Sequence, residues 1–538
     1  MESYAKGEER PLLEETIGVN FERTVAAYAD REALVEVASG RRWTWAELDA
    51  DVNALARGLM GAGIEAGDRV GIWAPNCAEW TLTQYATAKI GAILVNINPS
   101  YRVHELTYAV NQSGLRLMLS ASSFKTSDYR GMLEETRDEC PALERVVYID
   151  TDDWAALVAE GEELPQDAVA SRMATLAATD AINIQYTSGT TGRPKGATLS
   201  HRNILNNGFA VTELINFTEE DRLCIPVPFY HCFGMVMANI GCTTHGATMI
   251  IPGPGFEAET AMRTVTQERC TGLYGVPTMF IAMQNHPTFA EHDLSTLRTG
   301  IMAGSPCPVE VMKKCVDLMN MSEVSIAYGM TETSPVSTQT RSDDDLERRT
   351  ETIGRVHPNL EIKIVDPVSG EIVPRGETGE LCTRGYSVML GYWQEPEKTA
   401  EVLDPEGWMH TGDLAVMRED GYCTIVGRSK DMVIRGGENV YPREIEEFLY
   451  THPDVQDVQV VGVPDQKYGE ELCAWIQMKQ GATPLNAELV REFATGKLAH
   501  YKIPRYVMIV EDFPITVTGK VRKVEMREVS SRQLGLTE

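Results

Sequence analysis

The sequence predicts an α/β protein with a large N-terminal domain and a small C-terminal α+β domain. Helix-period segments alternate with short apolar strands between residues 43 and 99, a rhythm typical of βαβ units and a parallel sheet. A second α/β block is expected from Ala181 to about Thr340. Repeated glycine turns from Gly354 to Val426 predict a small antiparallel sheet or barrel. The composition changes again after Gly427.

The first α/β part, residues 1–180, is predicted from four elements between residues 45 and 96. They alternate between helix and strand: a helix over 45–62, a strand over 69–73, a helix over 78–91 and a strand over 92–96. Residues 152–180 are rich in alanine and acidic side chains and have no clear period, which predicts a connector.

The rest of the predicted N-terminal domain, which spans residues 1–429, has two parts. Residues 181–340 begin with a strand over 181–186, and a helix is expected after Ser200. A charged loop over 341–352 opens the β-rich part, residues 341–429. The small C-terminal domain, residues 430–538, is long enough to fold as its own unit. We expect strands over 455–463 and 506–510 in it, and a helix within 484–498.

Composition excludes several functional classes. The 538 residues are 43% hydrophobic and 24% charged, which is ordinary for a globular protein. With 49 basic and 78 acidic residues the net charge is −29, so nucleic acid and anionic membranes would be repelled at long range. We therefore expect neither as a partner. Any phosphate must be bound by local groups.

The cysteines and the N-terminus predict a cytoplasmic protein. Eleven cysteines are scattered without a C-x-x-C pair or a zinc-like spacing, as expected of buried thiols in a reducing compartment. Residues 1–20 have mixed charge and many glutamates, unlike a targeting segment. Polar residues interrupt the most apolar stretch, 236–251, so no transmembrane segment is expected.

A glycine-rich loop after the strand over 181–186 is the strongest local motif. Glycines allow backbone N–H groups to point into one concavity, and hydroxyls add donors around it. This composition suits a polyphosphate, but Pro194 precedes Lys195 and Gly196 follows it, unlike a P-loop. The candidate polyphosphate-binding residues here, which the resemblance described next assigns to ATP, are Thr187, Ser188, Gly189, Thr190, Thr191, Gly192 and Lys195.

Residues 186–196 resemble the signature of the adenylate-forming superfamily, which comprises acyl-CoA synthetases, peptide-synthetase adenylation domains and firefly luciferase. Further motifs agree in order over nearly the whole chain: residues 328–332 (YGMTE), 410–413 (HTGD), 427–431 (GRSKD) and 514–520 (PITVTGK). Residues 391–393 (GYW) and 430–442 are most similar to those of medium-chain fatty-acyl-CoA synthetases.

The resemblance implies a two-step reaction with ATP, Mg²⁺ and coenzyme A. A carboxylate first attacks the α-phosphate of ATP and releases pyrophosphate, and the CoA thiol then attacks the acyl carbon. Lys520 matches the catalytic lysine that would bridge carboxylate and α-phosphate, and Glu332 matches the magnesium ligand. Thr331 and His231 complete the implied catalytic set.

The resemblance also assigns the nucleotide site. Tyr328 would stack on adenine, Asp413 would accept hydrogen bonds from both ribose hydroxyls, and Arg428 would donate to the same sugar. The remaining implied ATP-binding residues are Gly304, Ser305, Gly329, Met330, Thr331 and Lys520.

The second step implies a mobile C-terminal domain. Lys430 matches the hinge, about which this domain would turn to bring Gly436, Gly437 and Glu438 to the pantetheine arm of CoA. Basic residues near the chain end provide the local phosphate-binding charge: Lys497, Lys502, Arg505, Lys520, Arg522, Lys523 and Arg527. The implied acyl pocket is lined by His231, Met235, Gly241, Val276 and Met302.

The sequence is compatible with three functions. The first is an ATP-dependent carboxylate:CoA ligase of fatty acid metabolism, with a medium-chain acid as the expected substrate. The second is a ligase that loads a carrier protein, and the third is a nucleotide-binding module without chemistry. Retention of Lys520, Glu332 and Asp413 argues against the third. The oligomeric state is left open, with a homodimer as one option.

Overall fold

The structure is a computed structural model that describes residues 1–187, 194–428, 430–436, 438–516 and 520–536, apart from the side chain of Asn439. The described residues form four larger sheets, here sheets A to D, and one small hairpin, Ser123–Phe124 with Ser127–Asp128. Helices cover the sheets, as the predicted α/β class requires.

Sheet A is mostly parallel. Its strands lie in the spatial order Gly391–Tyr392, Lys195–Ser200, Ala181–Thr187, Ile93–Asn96, Arg69–Trp73, Leu117–Ser120 and Arg145–Tyr148. The last five run parallel, and Lys195–Ser200 pairs antiparallel with both of its neighbours.

Sheet B has a parallel centre and antiparallel edges. Its strands lie in the order Arg355–Val356, Val336–Gln339, Glu323–Gly329, Thr299–Ala303, Gly272–Gly275, Arg222–Cys224, Thr248–Ile251, Glu32–Glu36 and Arg41–Thr44. Residues before 180 thus supply two strands of sheet B, and residues after 180 supply three of sheet A. The division expected at residue 180 does not follow the sheets.

Sheet C is the predicted small antiparallel sheet, with an N-terminal strand that the sequence did not indicate. Its strands are Tyr4–Lys6, Leu360–Val365, Thr378–Gly385, Met409–Met417 and Cys423–Arg428. The first and last described strands of this path do not pair with each other, so the sheet is open and does not close into a barrel.

Sheet D forms the C-terminal domain. Its strands are Glu438–Val440, Val433–Arg435, Gly469–Met478 and Val455–Asp465, with Tyr506–Ile509 parallel to Gly469–Met478. One face carries a core that includes Val458 and Leu449, and the other a core that includes Trp475 and Met526. This domain therefore has hydrophobic cores of its own. Sheet C ends at Arg428 and sheet D begins at Val433, on either side of the division expected at residue 430.

The helices pack on the faces of these sheets. The α-helices among the described residues are Ile17–Tyr28, Trp45–Gly61, Ala78–Ile90, Val103–Ser113, Tyr129–Arg137, Asp152–Ala159, Ala168–Met173, His201–Glu213, Gly241–His245, Ala258–Glu268, Pro277–Gln284, Val309–Met319, Leu346–Glu351, Pro396–Ala400, Pro442–Tyr450, Ala487–Ala494 and Lys523–Gln533. The other helical elements among the described residues are a π-helix, Phe233–Ile240, and 3₁₀ turns at Phe289–Glu291, Thr331–Thr333 and His500–Lys502.

Local signals explain the predicted elements. Thr44 and Glu47 form a capping box at the start of helix Trp45–Gly61, whose Leu48, Val52 and Leu55 are buried at helical spacing. The helix predicted after Ser200 is His201–Glu213, and Ser200 caps it by accepting from Asn203 N. The strands Arg69–Trp73 and Ile93–Asn96 are confirmed and almost wholly buried, as parallel strands covered on both faces should be.

Two predicted loops contain helices. The connector over 152–180 holds helices Asp152–Ala159 and Ala168–Met173, and the charged loop over 341–352 holds helix Leu346–Glu351. Each has only six to eight residues and buries at most two side chains, so no periodic pattern develops. The predicted helix within 484–498 is limited to Ala487–Ala494.

The described helices include none with the length and apolar character needed to cross a bilayer. All eleven cysteines lie within the described residues as free thiols, and ten of them are buried. This agrees with the prediction that they are apolar packing residues.

Candidate active site

The candidate site lies where the carboxyl ends of the sheet B strands meet sheet C and the C-terminal domain. Crevices at the carboxyl ends of parallel strands are the usual ligand sites of open α/β sheets. Strand Glu323–Gly329 leads into the turn that carries Glu332, and strand Thr299–Ala303 leads into Gly304. A Cβ built on Gly329 would lie 1.7 Å from Pro335 O, so this position admits only glycine.

Glu332 is a buried carboxylate with a defined partner. Glu332 is 5% exposed, and its Oε1 accepts a 2.8 Å hydrogen bond from the Tyr392 hydroxyl. The Lys195 ammonium lies 4.9 Å from the centre of the Tyr392 ring, close enough for a cation–π contact. Tyr392 thus connects the end of the glycine-rich loop to Glu332.

The glycine-rich loop is closed by strand pairing at its base. Thr187 and Lys195 are register partners, and the Thr187 hydroxyl donates to Lys195 O at 3.4 Å. The predicted ATP-binding residues Ser188, Gly189, Thr190, Thr191 and Gly192 lie outside the described residues.

Asp413 joins the two sheets at the cleft. It is 8% exposed; Oδ2 accepts a 2.7 Å bond from the Tyr328 hydroxyl, and Oδ1 lies 3.1 Å from Arg428 Nε. Asp413 and Arg428 are register partners in sheet C, which explains their contact. The Asp413 charge raises the pKa of Arg428, and burial raises the pKa of Tyr328.

Lys520 comes from the C-terminal domain and enters this cleft. Thr516 N donates to Lys520 O at 2.7 Å and Lys520 N donates to Thr516 Oγ1 at 3.0 Å, so two hydrogen bonds hold the Lys520 backbone. A Cβ built on Gly304, whose φ is +92°, would lie 3.8 Å from Lys520 Cε. Burial lowers the pKa of Lys520; Arg428 lowers it further, and Glu332 and Asp413 oppose the shift.

His231 faces the same ammonium. Its Nδ1 accepts a 3.2 Å bond from Phe233 N, which requires the neutral ring. Burial, together with the charge of Lys520, lowers the pKa of His231 to about 3. The ring is therefore neutral at physiological pH. A π-helix, an element frequent at functional sites, begins two residues later at Phe233.

The remaining predicted residues of the acyl pocket and the nucleotide site lie in different surroundings. Met235, Val276 and Met302 are buried, and Val276 lies beside Gly304. A Cβ built on Gly241 would lie 2.6 Å from the Thr212 side chain, so close helix packing accounts for this glycine. Ser305 follows Gly304 and is partly buried; Met330 and Thr331 adjoin Glu332.

The predicted hinge and CoA segment lie at the start of the C-terminal domain. Lys430 occupies a turn in which Asp431 N and Met432 N donate to Arg428 O at 3.0 and 3.1 Å. Gly436 and Glu438 are exposed, and Gly436 N donates to Tyr468 O of the same domain. Gly437 lies outside the described residues. In this domain orientation Lys520 occupies the cleft.

Sequence reasoning missed two neighbours of the site. Cys232 donates from its thiol to Gln185 Oε1 at 3.0 Å, and the charges of Glu332 and Lys520 act on it. Burial raises its pKa, so it is a neutral thiol. Its position directly after His231 could have indicated that it lies near the site. The direction of its side chain, however, depends on the turn before the π-helix, which the sequence does not show. Tyr392 was noted in a motif without a role.

The fold and the cleft are those of an adenylate-forming enzyme, in which a small domain presents a lysine to a large α/β domain. The chain belongs to the AMP-binding enzyme family: residues 21–393 match this family, and residues 444–520 match its AMP-binding enzyme C-terminal domain.

Two relatives and one solved structure illustrate the similarity. The chain is 48% identical over 551 residues to the protein named acyl-CoA synthetase YngI of Bacillus subtilis (strain 168), covering 98% of this chain and 99% of that one. It is 44% identical over 555 residues to the medium-chain acyl-CoA ligase ACSF2, mitochondrial, of Danio rerio, covering 99% and 91%. The ATP-bound crystal structure of MatB from Rhodopseudomonas palustris is 29% identical, with a TM-score of 0.85 and coverage of 96% and 99%.

Proposed function

We propose that this chain is an ATP-dependent carboxylate:CoA ligase for fatty acids, with medium-chain acids as its main substrates. The observation that carries the proposal is the convergence of Lys520 with Glu332, Asp413 and His231 in one cleft. The names of the relatives, an acyl-CoA synthetase and a medium-chain acyl-CoA ligase, support the substrate class.

In the first step a carboxylate oxygen attacks the α-phosphorus of ATP, and the bond from that phosphorus to the bridging oxygen of pyrophosphate breaks. Negative charge grows on the phosphoryl oxygens, so a cation held in place beforehand stabilises the transition state. The Lys520 ammonium takes this role, and neutral His231 borders the reacting carboxylate without adding a competing charge.

Mg²⁺ fits the donor set at Glu332. A buried carboxylate suits an ion that prefers one or two carboxylates plus phosphate oxygens. When bound, Mg²⁺ would neutralise charge on the phosphate oxygens. Tyr392 orients Glu332 through its hydrogen bond and so sets the direction of the carboxylate.

In the second step the CoA thiol loses its proton and its sulfur attacks the acyl carbon, and the bond from that carbon to the AMP oxygen breaks. Lys430 is the proposed hinge for a domain rotation that withdraws Lys520 and brings Gly436, Gly437 and Glu438 to the pantetheine arm. The turn at Arg428 to Met432, between sheets C and D, is a suitable position because a few dihedral changes there would move the whole domain.

A panel of straight, branched and aryl carboxylates tests the function. Carboxylate-dependent pyrophosphate release is expected with ATP, and kcat/KM is expected to be highest for medium-chain fatty acids with CoA as acceptor. Thioester formation only on a carrier protein would favour the second function, and absence of pyrophosphate release would favour the nucleotide-binding module.

The ribose role of Asp413 predicts a specific loss. Asp413→Asn is expected to lower kcat/KM for ATP by roughly 10- to 100-fold, because hydrogen bonds to a charged acceptor contribute about 1.5–3 kcal/mol. The measurement compares ATP with 2′-deoxyATP. Wild type should prefer ATP, and the variant should lose most of this preference. A preference that is unchanged in the variant would contradict the assignment.

The pH dependence of adenylation follows from two groups. Lys520 must be protonated to bridge two anions, and its pKa is lowered, so kcat/KM should fall as pH rises through a value below the ordinary 10.5 of lysine. Burial lowers the pKa of His231 to about 3, so no inflection is expected near pH 6.5. ATP–pyrophosphate exchange measures this step without CoA. In Lys520→Arg the alkaline fall should disappear from the residual activity, since arginine stays protonated.

We further propose a cytoplasmic location. The support is the set of eleven free thiols, which is typical of a reducing compartment.

A further inference from the structure

A cluster of three potential metal ligands lies in sheet C, three residues before Asp413 at its nearest point. Glu380 and Cys382 are on strand Thr378–Gly385, and His410 is the register partner of Cys382 on strand Met409–Met417. Side chains two residues apart on a strand share a face with the cross-strand partner, which explains the convergence. Their ligand atoms all lie within 4.8 Å of one another.

We propose that Glu380, Cys382 and His410 bind a divalent ion of the Zn²⁺ class, with water as the fourth ligand. The donors are a carboxylate oxygen, a thiolate sulfur and an imidazole nitrogen, a mixture that Zn²⁺ accepts and Mg²⁺ does not. The sequence offered no such spacing, because 28 residues separate the cysteine from the histidine.

The distances suit a tetrahedral ion. His410 Nδ1 lies 2.9 Å from Glu380 Oε2 and 3.4 Å from Cys382 Sγ. Zinc bonds of about 2.0–2.3 Å at tetrahedral angles separate neighbouring donors by roughly 3.3–3.6 Å. The third separation, between Glu380 and Cys382, is within 4.8 Å, so side-chain rotations that bring these two donors together would admit the ion.

The surrounding groups have the arrangement that metal ligands require. With Nδ1 on the ion, His410 Nε2 would carry the proton and face Asp404 Oδ2, which is 4.0 Å away. The second oxygen of Glu380 accepts a 2.9 Å bond from Gly412 N. Metal-binding histidines and carboxylates are usually oriented by such outer partners.

An ion can reach the cluster from solvent. The Cys382 side chain is buried, whereas Glu380 and His410 are partly exposed, so water can reach the open side. Direct binding of the ion to sulfur would displace the proton. The bound ion would link the neighbouring strands Thr378–Gly385 and Met409–Met417 of sheet C just before Asp413.

Co²⁺ titration of the metal-free protein, without ATP, tests the proposal, because Co²⁺ bound to thiolate absorbs in the near ultraviolet and Zn²⁺ does not. We expect one thiolate band per chain, displaced by Zn²⁺, and a rise in Tm with Zn²⁺, since an ion that binds only the folded state stabilises it. Ions bound at Glu332 through oxygen would give no such band.

The variants locate the ion. Cys382→Ser is expected to abolish the band and the Tm rise, whereas Cys423→Ser, which removes a buried thiol of the same sheet, should keep both. Asp404→Asn should keep the band and weaken Zn²⁺ binding by about 10- to 100-fold. Absence of the band in wild type, its persistence in Cys382→Ser, or equal dependence on Cys423 or Cys232 would overturn the proposal. Circular dichroism confirms that each variant is folded.

Discussion

Replacing Lys520 with alanine is expected to lower the rate of acyl-adenylate formation by about 10³-fold, the scale of losing one preorganised charge-stabilising donor. The ammonium lies among Glu332, Asp413 and Arg428, where burial strengthens its electrostatic effect. Thiolysis of supplied acyl-adenylate should change by less than about threefold, because in the proposed rotation Lys520 has left the cleft. Single-turnover measurements of the two half-reactions separate these effects.

Arg522→Ala is the matched control, because the structure pairs this arginine with Glu525 at the surface and so corrects its predicted place among the phosphate-binding residues. Arg522 lies two residues away, its side chain is 57% exposed, and it forms an ion pair with Glu525 at 2.6 Å on the surface of the same domain. Exposed ion pairs of this kind contribute little to stability, so the variant should fold normally. Both half-reactions should therefore retain nearly full rates. Equal losses of adenylation and thiolysis in Lys520→Ala would refute the division of labour between two domain orientations.

Replacing Glu332 with glutamine is expected to lower adenylation by about 100-fold or more and to raise the Mg²⁺ concentration needed for half-maximal rate. The change keeps the shape of the side chain and its ability to accept from Tyr392, but removes the charge that a hard cation requires. The measurement is ATP–pyrophosphate exchange over a series of Mg²⁺ concentrations.

Tyr392→Phe provides a graded comparison. It keeps the ring beneath Lys195 and removes only the hydroxyl that orients Glu332. We expect a loss of roughly tenfold, near the effect of one hydrogen bond to a charged acceptor. If Glu332→Gln left both the rate and the Mg²⁺ requirement unchanged, Glu332 would not be the metal ligand.

The sequence was sufficient wherever structure depends on neighbouring residues. Thr44 and Ser200 start helices through bonds to groups three residues away, and strands such as Arg69–Trp73 are defined by a short apolar run. The two short helices within residues 152–180 were not predicted, because their stability comes from packing and because six to eight residues are too few to show a helical period.

The ordered motifs also determined the family and the candidate residues of the cleft, because such motifs preserve residue types at fixed spacings. Only the tertiary structure decided which side chains meet. Tyr392 contacts Glu332, which is 60 residues away in the sequence, and Cys382 contacts His410, which is 28 residues away. Sheets A and B each contain strands from both sides of residue 180. These contacts depend on strand register and on domain orientation, which are set by long-range packing and leave no local pattern in the chain.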